Sequence, residues 1–271
     1  MRGVVYTGLI TAGLDRILPL LLDASGLVKL IGSLPVLIKP NLVEPLPPPI
    51  TTPTGLVSLL IDYLQTRLPG QPILIGEGTG ALEHDTFHCF HELGYTDLAR
   101  QKGVDLIDLN EEKLIRKEDA ICQRWPHLYL PRLLDEVFLL SVPVLKAHTL
   151  AKVTLTMKNM MGCVPPRHYQ GNGAWGKSAF HTRIHAAIFD LNRYRTPDLT
   201  LLDASVGMAQ AHLRGPTCNP PVNRLAASTD PVAIDSYGAT LLGRDWRTID
   251  HIRLAHGVLG DGEKITLHEI T

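Results

Sequence analysis

Short β-branched and leucine-rich runs alternate along this chain with stretches in which apolar residues recur every three or four positions. Residues 4–6, 36–38, 73–75, 104–109, 137–142, 199–202 and 225–227 each read as a strand. Between them, Leu14, Ile17, Leu18, Leu21 and Leu22 fall on one helix face, as do Leu56, Leu59, Leu60, Tyr63 and Leu64. Thr52 followed by Pro53 has the form of a helix start, with a hydroxyl N-cap and proline at N1. Asp230 followed by Pro231 repeats it, with Asp230 as the cap. Strands alternating with helices predict an α/β fold: a mainly parallel sheet with helices on both faces, as one domain over residues 1–271 or two fused lobes.

Two segments break the rhythm. Residues 45–49 (PLPPP) cannot be helical and read as an extended loop. Residues 164–178 hold three glycines and two prolines, the composition of a long loop of the kind that often serves as a lid. The apolar run at the N-terminus is cut by Asp15 and Arg16, and the next one by Asp23 and Lys29, so neither a signal peptide nor a membrane span is expected.

Composition narrows the function. A formal net charge of −1 supplies no global field for nucleic acid or an anionic membrane, so any basic function must be local. Cys89, Cys122, Cys163 and Cys218 contain no CxxC pair, which argues against a zinc ribbon or a ferredoxin-type run and for free thiols in a reducing cytoplasm.

The candidate chemistry gathers at predicted strand ends, where open α/β sheets bind ligands. The apolar strand 137–142 leads into Lys146 and His148, with Lys158 and Asn159 ten residues further on. Lys39 and Asn41 flank the proline that ends the second strand, and Glu77 sits in the glycine-rich turn GEGTG after the third. Lysines and amides of this kind suit a carboxylate or phosphate, with a lysine or His148 as acid or base. Asp203 closes a strand and Asp235 lies one turn into a helix, each able to orient a lysine or hold a cation. His181 and His185, four apart on an expected helix, offer two ligands for a divalent metal, though HTRIH lacks the glutamate of HExxH.

In order, IKPNLV, the TTP helix start, SVPVLKAHTLAKVTLTMKNMMGCVP, FHTRIHAAIFDLN, PDLTLLDASVGM and ASTDPVAIDSYGATLLG resemble the DUF362 family over roughly residues 36–260. Many members carry a ferredoxin-like module with clustered cysteines. This chain has none, so the resemblance implies no iron–sulfur cluster here. The stretch MAQAHLRG also departs from the glycine-rich loop usual at that point in the family. A weaker likeness, in fold and residue types only, is to the lactate racemase family.

The reading that follows is an enzyme acting on a small anionic metabolite. Lys146, His148, Lys158 and Asp203 would carry the chemistry, and Lys39, Asn41, Glu77, Asn159 and Asp235 would hold the substrate. The alternatives are a non-catalytic ligand-binding or scaffold module, or an accessory partner of a separate iron–sulfur protein. No nucleic acid or membrane partner is expected, and the leucine-rich N-terminal helix is compatible with a homodimer.

Overall fold

The computed structural model describes residues 2–210 and 212–271. Among these the strands are β1 (Val4–Leu9), β2 (Val36–Pro40), β3 (Ile73–Glu77), β4 (Asp105–Asp108), β5 (Leu114–Glu118), β6 (His127–Pro131), β7 (Phe138–Val142), β8 (Val144–His148), β9 (Lys152–Thr154), β10 (Leu199–Met208), β11 (Arg224–Ser228) and β12 (Thr266–Ile270). The helices are α1 (Leu14–Ser25), α2 (Leu27–Ile31), α3 (Thr54–Arg67), α4 (Thr86–Glu92), α5 (Tyr95–Lys102), α6 (Thr156–Asn159), α7 (Pro166–Tyr169), α8 (Ile184–Tyr194), α9 (Pro231–Leu241) and α10 (Asp250–Ala255).

One large sheet runs β12-β1-β11-β10-β7-β2-β3-β4. From β10 to β4 its neighbours are parallel, as are β12 and β1, while β11 is antiparallel to both of its neighbours. This is the mainly parallel α/β arrangement that the alternation of elements predicts. Strand periodicity divides the core between the two faces. Val36 and Ile38 point with Phe138, Leu140, Leu199 and Leu201 toward α1, α2 and α3, whereas Leu37, Leu139 and Leu202 face the side of α8, α9 and α10. Both faces are covered, so β2 and β7 are buried at every position.

Several local expectations change. Thr52 does not cap α3: the N-cap is Pro53, with no side-chain cap bond. The Thr52 hydroxyl instead donates to the Val142 carbonyl at 2.7 Å and accepts the Asn41 N–H at 2.9 Å, tying two strand ends together. Asp230 does cap α9, accepting the N–H groups of Val232 and Ala233 at 2.9 Å each. His181 and His185 do not share a helix, because Arg183 at φ 53° breaks the chain between a 3-10 turn (Ser178–His181) and α8. The lysine–histidine segment is itself a strand, β8, which Pro143 separates from β7 and which turns back on β9. Among the described residues no helix is long and apolar enough to cross a membrane.

Candidate functional site

Alternation along β8 sends Lys146 and His148 to one face, and the antiparallel register sets Lys146 opposite Thr154 on β9. All three line a cavity of about 410 Å³, within the range of small-molecule sites. Asn41 from beyond β2, Glu77 and Gly78 from the end of β3, Lys158 and Asn159 from α6, and His181 complete much of its wall. These elements converge because β2, β3 and β7 are parallel and end on the same edge.

Beneath the cavity lies a buried polar floor. Lys39 is wholly buried and pairs with the Glu77 carboxylate at 2.7 Å. Its ammonium also donates to the Pro40 carbonyl at 3.1 Å and to Asn159 Oδ1 at 3.3 Å. Asn41 donates to the same oxygen at 2.9 Å, and Asn159 donates to Ser141 Oγ at 3.0 Å. The other Glu77 oxygen accepts the Gly78 N–H at 2.9 Å. An unpaired polar group here costs the full price of its desolvation, and among the described residues Asn41 Oδ1 has no partner.

Short helix α6 cannot hold itself together by propagation alone. Its first amides, Thr156 and Met157, donate to the two carboxylate oxygens of Asp235 on α9, at 2.8 and 3.0 Å. Asp235 is fully buried, and burial pushes its carboxyl up to about 7. It therefore positions Lys158 and Asn159 from behind and does not line the cavity. Asp203 also stands outside the lining: it faces Val144 in register and accepts the Ser205 N–H at 2.9 Å. Burial raises its carboxyl as well.

The remaining charges in the cavity are one-sided. Lys146 is wholly buried and donates to the Ile50 carbonyl. Burial and then the Lys158 charge bring its ammonium down to about 7. Lys158 falls to about 8 through burial and the nearby Lys39. A third lysine, Lys177, reaches in from the glycine-rich loop and donates to the carbonyls of Gly78 at 2.6 Å and Gly162 at 3.0 Å. Burial brings it to about 8. The carbonyls of the GEGTG turn thus anchor this loop, and Gly80 accepts the Gly176 N–H at 2.8 Å. The Gly78 and Thr79 amides, which such a turn would otherwise turn toward an anion, are engaged by Glu77 and Thr86.

His148 has one fixed role. Its Nδ1 accepts the N–H groups of Leu150 and Ala151, both at 3.1 Å. A nitrogen that accepts two such bonds carries no proton, so Nε2–H is the donor of a neutral ring. Burial, with the Lys158 charge second, keeps the ring from protonating. His148 is therefore a hydrogen-bond donor, and base chemistry falls to the lysine amines. His212 stacks on it at 4.1 Å, and burial lowers its ring to about 4. His181 is also depressed, chiefly by burial.

The expected metal pair is divided. His181 lines the cavity, whereas His185 packs away from it, its Nδ1 3.0 Å from Nδ1 of fully buried His251. Among the described residues no group of three His, Cys, Asp or Glu side chains is arranged to hold a metal ion. Nδ1 of His148 is taken up by two backbone amides and the Glu77 carboxylate by Lys39.

Lys177, His212, Thr154 and Trp175 join the site without having been singled out. For Lys177 the signal was present: it is the first charge after His168 in a glycine-rich run. His212 lies in the stretch that departs from the family pattern, which left it without a motif to mark it.

Gly162 makes the floor possible. A Cβ there would fall 1.8 Å from Glu77 Oε1 and 2.5 Å from Lys39 Nζ. Gly162→Ala is expected to cost about 2 kcal/mol of stability through forced overpacking and to weaken anion binding with it. Urea melts and ligand titration of the variant check this; an unaltered melt would contradict the packing.

The profile of the DUF362 family, a domain of unknown function, matches residues 36–240. A thylakoid-associated protein of Synechocystis sp. is 27% identical over 230 residues, which take in 79% of this chain and 64% of the relative. The chain thus spans just under two thirds of that relative's length. Among solved structures, the apoprotein of lactate racemase from Thermoanaerobacterium thermosaccharolyticum aligns with a TM-score of 0.51 at 15% identity, covering 87% of this chain and 56% of the other. That likeness concerns the α/β fold alone. With more than half of its length matched by the family's profile, the chain belongs to the DUF362 family.

Proposed function

We propose that the protein is an enzyme acting on a small organic anion bound in this cavity. The observation that carries the reading is the charge imbalance. Lys146, Lys158 and Lys177 face one cavity, and its lining carboxylate, Glu77, is already paired with Lys39. An anion would supply the missing counter-charge and restore protons to amines that burial has depressed. His148 Nε2–H would orient the bound oxygen, and the Lys146 amine, poised near neutrality, would move the proton. The four free cysteines suit a reducing, cytoplasmic setting.

Titration calorimetry with acetate and with inorganic phosphate tests the binding half. In buffers of different ionisation heat at about pH 7.5, binding should take up protons, because the amines regain theirs. Lys146→Met and Lys158→Met should each weaken binding at least tenfold, roughly the loss from removing one desolvated charge contact. Binding without proton uptake, or indifference to both substitutions, would sink the reading. Turnover of any acid that binds should rise with pH above the value of about 7 at which ligand-free Lys146 gives up its proton, because the bound anion holds that proton more tightly.

A further inference from the structure

The cavity has two chemically different ends. Its deep end is polar and closed: Lys146 is wholly buried, Glu77 is 3% exposed and Lys177 4%. Its outer end is apolar and open, with Leu150 55% exposed and Trp175 39% exposed. Val43 and Leu213 supply further apolar lining, and buried Leu42 and Met161 carry apolar surface inward from it. Thr149, Trp175, His212 and Leu213 are shared with an adjoining recess of about 420 Å³, so the outer end continues past the cavity until Glu44 and Arg214 turn it polar.

A small hydrophilic ion would fill only the deep end. It would leave a tryptophan and leucines wetted at the rim, an arrangement that contributes nothing to holding it. We infer that the ligand is an amphipathic organic anion: a carboxylate-like head among the lysines, joined to an aromatic or branched hydrocarbon body against Trp175, Leu213 and Leu150. The inference rests on the anion-site reading above and goes further by naming the class of molecule. It also gives the loop carrying both Lys177 and Trp175 a double duty. One residue of the loop meets the charge and the other meets the hydrocarbon, so a single segment checks both ends of the ligand.

Three probes separate the possibilities: 3-phenylpropionate, acetate and the uncharged 3-phenylpropionamide, each titrated calorimetrically into the full chain. The expected result is that phenylpropionate binds roughly tenfold or more tighter than acetate, since burying a phenyl group outweighs the cost of ordering it. The amide should bind at least tenfold more weakly than phenylpropionate, having no charge for the lysines. Trp175→Ala and Leu213→Ala, both at the solvent-facing rim, should bring the phenylpropionate-to-acetate ratio toward one. Equal affinity for phenylpropionate and acetate would overturn the amphipathic inference and leave the anion site standing. An amide that binds as well as the acid would overturn the anion reading and this inference with it. So would failure of all three to bind.

Discussion

Lys39→Met is expected to destabilise the fold by about 3–5 kcal/mol, the cost of removing one partner from a buried ion pair. The pair meets at 2.7 Å, with its side chains 0% and 4% exposed. Methionine fills much of the lysine's volume, so the penalty is electrostatic and not a cavity effect. Among the described residues it leaves the buried Glu77 carboxylate only the amides of Gly78 and Leu42 as donors, at 2.9 and 3.3 Å. Asn159 Oδ1 loses a donor at the same time. Lys39→Met/Glu77→Gln should recover most of the loss, because the glutamine is neutral and its oxygen can still accept from Gly78. Urea denaturation of the two variants beside the native protein measures both values. A single variant within about 1 kcal/mol of native would mean that the floor is not held by this pair.

Raising the pH from about 7 to 8.5 is expected to stabilise the ligand-free protein by roughly 3 kcal/mol, with Lys146 supplying about half. The direction follows from linkage. An unfolded lysine keeps its proton to about pH 10.4, whereas the folded Lys146 gives it up from about 7 and Lys158 and Lys177 from about 8. Asp235, raised to about 7, opposes this by only about 0.4 kcal/mol, so the unfolded chain binds more protons across the window and stability grows with pH. The window closes near pH 8.5, where the unfolded thiols begin to ionise while buried Cys122 and Cys163, both raised to about 11, do not. Lys146→Met should flatten the slope by its share and raise stability at pH 7. Denaturant melts of both proteins at several pH values give the difference directly, with the cysteine contribution common to the two. Parallel slopes would show that the Lys146 amine is not desolvated. A saturating anion should flatten the native slope too, since it returns the protons that burial removed.

Much of the architecture was legible from local pattern. Each expected strand lies within or overlaps an observed one, because runs such as 36–38 and 137–142 are buried on both faces and so stay apolar without interruption. The less regular elements were not legible. Strands β5 and β6 form a separate two-stranded sheet of mixed, partly exposed residues, and β12 is an exposed edge, so none of the three carries a clear apolar run. The helix expected to join His181 to His185 failed at a single residue, Arg183, whose left-handed backbone no periodicity reports.

The same division runs through the site. By itself the sequence determined the α/β order, the Asp230 cap and the strand-end chemistry that brings Lys146, His148, Lys158, Asn159, Asn41 and Glu77 to one cavity. These are properties of residue type beside a strand terminus, and parallel strands deliver their ends to a common edge. Only the tertiary structure decided that Lys39 is matched to Glu77 while Lys146, Lys158 and Lys177 face the cavity without a carboxylate of their own. It alone turned Asp235 into a support for α6 and His148 into a neutral donor. Those outcomes depend on burial and on partners far apart in the chain. Burial and distant partners set the charge of a lysine, a carboxyl or an imidazole, and neither is written in the spacing of residues.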